Sequence, residues 1–311
     1  MLDIVITEFI DAWAVDDLAR DFRVHYDPAL VDKPDEIKTV AAKVPALIVR
    51  NRTQVRGAVL AACRELRAIG RLGVGLDNID MDECARRGIR VFPASGANTA
   101  SVAEYVIAAM LMALRDVWHA NEAVLAGRWP RNELMFREAS GKRLGLIGFG
   151  EIARAVARRA RALEIAIVAH DPGIGADHPA WQEHSVAPVD LARLLATSDV
   201  VSLHVPLLPA TRNLIDGAAL ARMKPSAILI NTSRGGMVDE TALVAALREG
   251  RLGGAVLDVF VSEPVAKDSI FVGVPRLWLT PHIAGVTEEA NRRVSSVTVA
   301  NIRKALGARG R

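Results

Sequence analysis

The chain is expected to fold as an α/β protein of two domains, each built on a parallel sheet. Three observations carry that expectation. Short apolar runs alternate with amphipathic segments from end to end. The alternation breaks at a nearly all-apolar stretch, Val102 to Leu114, and then starts again. With 311 residues, 51% of them hydrophobic, the chain is long enough to bury two cores of ordinary size.

In the first series, strands are expected at Leu2–Thr7, Arg23–Tyr26, Ala46–Val49, Ala68–Leu72 and Ile89–Val91. A helix from Met81 to Arg87 has Asp80 placed as N-cap and Gly88 as its stop. A helix as apolar as Val102–Leu114 must be buried on most sides, as it would be between two domains. The second series places strands at Arg143–Ile147, Ala166–His170, Val200–His204, Ala227–Asn231 and Ala255–Asp258. Helices follow at Glu151–Leu163 and at Asp239–Glu249, the latter stopped by Gly250, and Thr287–Leu306 closes the chain as a helix. No internal repeat is visible. The expected division is one domain at 1–97 joined by 283–311, and a second at 98–282.

Composition removes several function classes. A net charge of +3 does not demand a nucleic-acid partner, and the surplus of arginine suits small anions. Two cysteines, Cys63 and Cys84, make neither a disulfide framework nor a zinc site; they read as core residues, and no metal is expected. Met1 to Glu8 has no basic lead-in or cleavage pattern and reads as a first strand. The longest apolar run, Tyr105 to Leu114, is about half of the ~20 residues a membrane span needs. A cytoplasmic protein without membrane partners is the expectation.

Leu144 to Ala153 places Gly148-x-Gly150-x-x-Ala153 between an apolar strand and a helix. Gly148 permits a tight turn, Gly150 lets backbone approach a pyrophosphate, and Ala153 allows close packing of helix on strand. The helix start, with Glu151 and Ile152, offers N–H groups and positive potential to an anion. Asp171 ends the next strand, 23 residues beyond Gly148, where an acid accepts ribose hydroxyls and repels a 2′-phosphate. NAD is therefore expected over NADP, bound at Gly148, Phe149, Gly150, Glu151, Ile152 and Asp171.

Arg234, Glu263 and His282 follow apolar strands, where the ligand crevice of an open α/β sheet lies. Hydride transfer to a 2-oxo acid builds negative charge on the carbonyl oxygen, which must be polarised and protonated. Histidine is the usual acid/base near neutrality, a carboxylate orients it, and arginine's fork can hold the substrate carboxylate. Each also has a plainer reading, as an ion-pair partner, a loop start or a structural histidine. His25, His119, His170, His178 and His184 are taken as structural; His204 is the exception, since it ends a strand facing the expected cofactor.

In their order these motifs resemble the D-isomer-specific 2-hydroxyacid dehydrogenases. The resemblance runs through Gly73 to Asp80, Gly148 to Ala153, Asn231 to Gly236, Leu257 to Phe260 with Glu263-Pro264, and Thr280 to Gly285. It implies two Rossmann-like domains with a cleft between them, an NAD-binding domain at 98–282, a substrate-binding domain from the rest, and a homodimer. By position it implies His282 as proton donor, Glu263 as its partner, and Arg234 on the substrate carboxylate and carbonyl. Backbone N–H groups of Val74 and Gly75 would complete carboxylate binding. Thr99, Thr232 and Asp258 would join the cofactor residues, as would His204. Ala153 replaces the commoner third glycine, and Glu263 stands where related formate dehydrogenases carry glutamine, which disfavours formate. R stereochemistry is implied as well.

Substrate choice stays open at this level. Arg50, Asn51 and Arg52 follow a strand where phosphoglycerate dehydrogenases of the family contact substrate, so a second anionic group could bind there. Arg131 and Arg137 could add to it from a neighbouring subunit, or all four arginines could be solvated. Phosphoglycerate- or sulfolactate-like acids stand level with glyoxylate, hydroxypyruvate or pyruvate. Phosphite dehydrogenases share the triad, and NAD-sensing corepressors share fold and triad but carry extra tails. The chain ends soon after its last helix, so no serine-sensing regulatory domain is expected.

Overall fold

The computed structural model describes residues 2–117 and 120–307. It comprises two compact units, Met1–Asn98 with Val286–Arg311, and Thr99–Gly285. His119 lies outside the described residues.

The first unit contains β1 (Ile4–Ile6), β2 (Val24–Tyr26), β3 (Ala46–Val49), β4 (Ala68–Arg71) and β5 (Arg90–Pro93). They pair in parallel in the order β2-β1-β3-β4-β5. The period of two along each strand fills a core on either face: Ile4 and Ile6 point to one side, with Ile48 and Val299, and Val5 to the other, with Leu47 and Ile69. The helix Met81–Arg86 starts as expected, Asp80 accepting the Glu83 N–H at 2.9 Å, and Gly88 follows it at φ 66°. The last helix, Glu288–Leu306, packs onto β4 so closely that a Cβ at Gly70 would meet Thr298 Cγ2 at 2.8 Å.

The second unit contains β6 (Arg143–Ile147), β7 (Ala166–His170), β8 (Ala187–Pro188), β9 (Val200–Leu203), β10 (Ile228–Asn231), β11 (Gly254–Leu257) and β12 (Leu277–Leu279). Its order is β12-β11-β10-β9-β6-β7-β8, again parallel throughout. The winding reverses between β6 and β9, the switch point at which such sheets bind ligands. Leu144 and Leu146 enter one core and Ile147 the other. The expected α/β class with parallel sheets is the one observed.

Two edge strands were not anticipated from sequence. β8 is two exposed residues ending in Pro188, and β12 is three residues of which Trp278 is buried. Neither run is long enough to show a period. The apolar helix also differs from expectation. It spans Thr99–Arg115, packs on the helix Glu151–Arg161, and buries one stripe that includes Val102, Val106, Met110 and Leu114. Ile107, Leu111 and Met112 stay partly exposed, because only one side of the helix meets the sheet layer of its own unit. Cys63 and Cys84 are free and buried. Among the described residues no helix is long and apolar enough to cross a membrane.

Candidate active site

Strand register aligns Ile147 with Leu203, Leu203 with Asn231, Asn231 with Leu257 and Leu257 with Leu279. His170 aligns with Ile147 on the other side. The next residue of six of the seven strands, all but β8, therefore falls on one row along the carboxyl edge: Asp171, Gly148, His204, Thr232, Asp258 and Thr280. Five of these six were singled out from sequence. Thr280 was not.

At the centre of the row the chain turns sharply at Gly148, φ 89°, where a Cβ would lie 2.6 Å from the His204 carbonyl oxygen. Gly150 caps the helix Glu151–Arg161 without a side chain, and the space at its Cβ position is open. The helix thus presents its first-turn N–H groups, near Glu151 and Ile152, to an anion. Phe149 has no exposed surface; its ring stacks on Trp181 at 4.7 Å, so only its backbone faces the turn. That backbone N–H donates to Asp171 Oδ2 at 2.8 Å, and Gly173 donates to Oδ1 at 2.9 Å. The Asp171 carboxylate is thereby held beside the glycine turn. Thr232 Oγ1 is buried without a hydrogen-bond partner. An extended dinucleotide fits this edge: a diphosphate at Gly150, ribose hydroxyls at Asp171, and a polar group for Thr232. Thr99, which opens its helix, is partly buried. His204 Nε2 lies 2.9 Å from Ser202 Oγ, and loss of hydration pushes the imidazole down to about 4, so it is neutral at physiological pH.

The other half of the row holds groups able to exchange protons. Asp258 is 1% exposed, and it accepts from Thr280 Oγ1 at 2.6 Å and from the Ile283 and Ala284 N–H groups at 2.8 Å each. Burial raises its pKa, against the pull of those hydrogen bonds. The His282 N–H donates to the Asp258 carbonyl at 2.9 Å, and Tyr105 Oη and Thr280 Oγ1 share a hydrogen bond at 2.5 Å. This lattice fixes the loop that carries His282. The imidazole Nδ1 sits 2.8 Å from Glu263 Oε2, while Glu263 Oε1 accepts the Phe260 N–H at 3.0 Å. Burial opposes ionisation of Glu263, yet the His282 and Phe260 hydrogen bonds and the Arg234 charge together hold its carboxyl below the usual range. Arg234 heads a short turn; its carbonyl accepts from Asn231 Nδ2 at 2.7 Å and its Nη1 donates to the Ser233 carbonyl at 2.6 Å. A Cβ at Gly235 would strike the Phe260 carbonyl carbon at 1.9 Å, so only glycine lets the Arg234 turn approach the Glu263 loop. With Nδ1 engaged, His282 keeps Nε2, across the ring, for proton exchange with a ligand.

On the first unit, Arg50 is partly buried, donates from Nη2 to Asn291 Oδ1 at 2.9 Å, and lies 6.0 Å from the Phe9 ring centroid. Asn51 is exposed, and Arg52 is exposed and paired with Asp32. Val74 is exposed and Gly75 partly so, after a turn at Gly73, φ 142°, whose missing Cβ makes room for the Arg71 guanidinium. Arg131 lines a depression of about 740 Å³ with Trp129 and Met135, and Arg137 a second with Arg276 and Trp278. None of Arg234, Glu263 and His282 lines either one. Sequence reasoning passed over Glu8 and Asn78, which hold the Arg50 turn, Asn291, which holds the Arg50 guanidinium, and Tyr105 and Thr280, which hold the His282 loop. An acid directly after the first strand was the available signal for Glu8; Tyr105 offered none.

Comparison with known proteins gives a consistent picture. The model of the family "D-isomer specific 2-hydroxyacid dehydrogenase, NAD binding domain" matches residues 107–284. The (S)-sulfolactate dehydrogenase of Chromohalobacter salexigens is 55% identical over 309 residues, covering 99% of this chain and all of that protein. The D-3-phosphoglycerate dehydrogenase of Archaeoglobus fulgidus is 39% identical over 86% of this chain, which spans only 50% of that relative. Among solved structures, D-lactate dehydrogenase from Aquifex aeolicus, complexed with NAD and lactic acid, aligns with TM-score 0.87 at 26% identity, covering 98% of this chain and 95% of that one.

Proposed function

Because the chain belongs to the D-isomer specific 2-hydroxyacid dehydrogenase family and is an NAD-dependent oxidoreductase, we propose that it interconverts sulfolactate, or a closely similar acid with a second anionic group, and the matching 2-oxo acid. The observation that carries the substrate class is Arg50, a guanidinium held in place by Asn291 on the unit assigned to substrate. The end-to-end likeness to an (S)-sulfolactate dehydrogenase supports the same reading. The S label agrees with the R geometry expected for simple 2-hydroxy acids. Sulfur lifts the sulfomethyl group above carboxylate in the priority order, so one spatial arrangement takes both labels.

In this reading unit Thr99–Gly285 binds NAD and the other unit binds substrate. NAD, when bound, takes the hydride from the substrate carbon or returns it. Gly148, Phe149, Gly150, Glu151 and Ile152 would receive the diphosphate through backbone and helix end, and Asp171 the adenosine ribose. Thr99, His204, Thr232 and Asp258 would line the remainder. His282 Nε2 removes the proton from the substrate hydroxyl in oxidation and returns it to the carbonyl oxygen in reduction. Glu263 fixes the ring and balances the imidazolium charge formed on the way. Arg234 pairs with the substrate carboxylate and polarises the carbonyl, and the Val74 and Gly75 N–H groups complete the carboxylate site. A cytoplasmic homodimer completes the proposal.

Loss of NADH near-ultraviolet absorbance tests it, with glyoxylate, pyruvate, hydroxypyruvate, phosphohydroxypyruvate, sulfopyruvate and oxaloacetate as substrates. Sulfopyruvate is expected to give the highest kcat/KM. A clear preference for glyoxylate or pyruvate would remove the second-anion reading and leave the reaction class in place.

A further inference from the structure

We propose that Glu8 is a positioning residue for substrate selection, fixing the Arg50–Thr53 turn so that Arg50 meets the second acidic group of the substrate at a set distance from the Val74–Gly75 backbone. This rests on the reading that Arg50 holds that group.

Glu8 follows β1 and is only 5% exposed. A carboxylate taken from water is costly unless its lone pairs are filled. Here the donors are all N–H groups of one turn: Arg50 and Thr53 donate to Oε1 at 2.8 and 2.9 Å, and Arg52 to Oε2 at 3.1 Å. The neighbouring Thr7 hydroxyl meets the Thr53 hydroxyl at 2.8 Å. Asn78 works on the carbonyls of the same turn, donating to Thr53 at 2.7 Å and to Arg50 at 3.2 Å. Its own carbonyl accepts the Val55 N–H at 2.8 Å. Asn78 also lies three residues beyond Gly75 in the segment that begins Gly73-Val74-Gly75, so one side chain ties the turn of Arg50 to the turn offered to the substrate carboxylate. Two anion-binding elements are thus linked at fixed separation, with Glu8 and Asn78 as the struts.

Charge adds to geometry. Burial disfavours the Arg50 cation, and the negative charges of Glu8 and Asp11 favour it. Arg52 is the poorer choice for the substrate anion: it is exposed and already paired with Asp32.

The test compares kcat and KM for sulfopyruvate and for pyruvate in wild type, Glu8→Gln, Arg50→Gln and the double variant. Glutamine keeps the size of Glu8 but turns a donor toward the Arg52 N–H and removes the charge. Glu8→Gln is expected to raise the KM for sulfopyruvate relative to that for pyruvate by about tenfold, in KM and not in kcat. Arg50→Gln should shift the ratio the same way, and the double variant should add little to it. If Arg50→Gln shifts the ratio and Glu8→Gln weakens both substrates equally, Glu8 is merely structural and the inference falls alone. If Arg50→Gln leaves the ratio unchanged, the reading of Arg50 falls and this inference with it. Should Glu8→Gln fail to fold, Glu8→Asp, which withdraws the carboxylate by one methylene, must produce the same selective rise.

Discussion

His282 adopts a left-handed backbone, φ 58°, a conformation that costs a non-glycine residue about 1–2 kcal/mol. The surroundings over-determine it: its N–H is held by the Asp258 and Thr280 carbonyls, and the next two N–H groups by the Asp258 carboxylate. Such strain at the residue proposed to move the proton is what a site that must aim one nitrogen would retain. Glu263 is the second determinant of that aim. Glu263→Gln is expected to lower kcat by about 10- to 100-fold, since the amide neither balances imidazolium nor fixes the ring as firmly. Stability provides an independent check. The Glu263 carboxyl titrates lower in the folded chain than its unfolded value of about 4.3. The folded state thus gains from it above that pH and loses the gain as pH falls through the depressed value. The difference in Tm between wild type and Glu263→Gln should shrink as pH falls below about 4. A difference that grew on acidification would contradict the assigned charge state.

At the scale of elements, the parallel register gathers the site. One row of residues after β7, β6, β9, β10 and β11 holds Asp171, Gly148, His204, Thr232 and Asp258, because each strand ends level with its neighbour. The elements that leave apolar surface uncovered carry a different message. On the helix Thr99–Arg115, Ile107, Leu111 and Met112 remain partly exposed, and beyond it Leu125, Trp129 and Met135 are 80%, 74% and 78% exposed. Apolar side chains at this exposure are what the proposed homodimer would cover. Light scattering should give twice the chain mass, and Leu125→Glu with Met135→Glu should lower it to one chain. A wild-type protein that scatters as a single chain at micromolar concentration would refute the homodimer.

Over the whole molecule, what could be read from sequence was whatever depends on local pattern. Strands such as Arg143–Ile147 and Ala166–His170 announce themselves as apolar runs, and Asp80 and Gly88 mark both ends of a helix through cap chemistry. Gly148, Asp171, Arg234, Glu263 and His282 were legible because strand-end motifs carry them. Elements that owe their form to pairing were not: β12 is three residues that become a strand only beside β11. Side chains that act through others leave little in sequence, since the acid after the first strand that marks Glu8 does not say which residue it holds. Glu8 and Asn291 lie far along the chain from Arg50, and folding alone brings them to it.

The central claim, that His282 moves the proton in an NAD-dependent oxidation of a 2-hydroxy acid, is tested most directly by His282→Ala. Turnover of sulfopyruvate with NADH should fall by about 10²- to 10⁴-fold while NADH binding, followed by fluorescence titration, is retained. Near-full turnover in that variant would contradict the account.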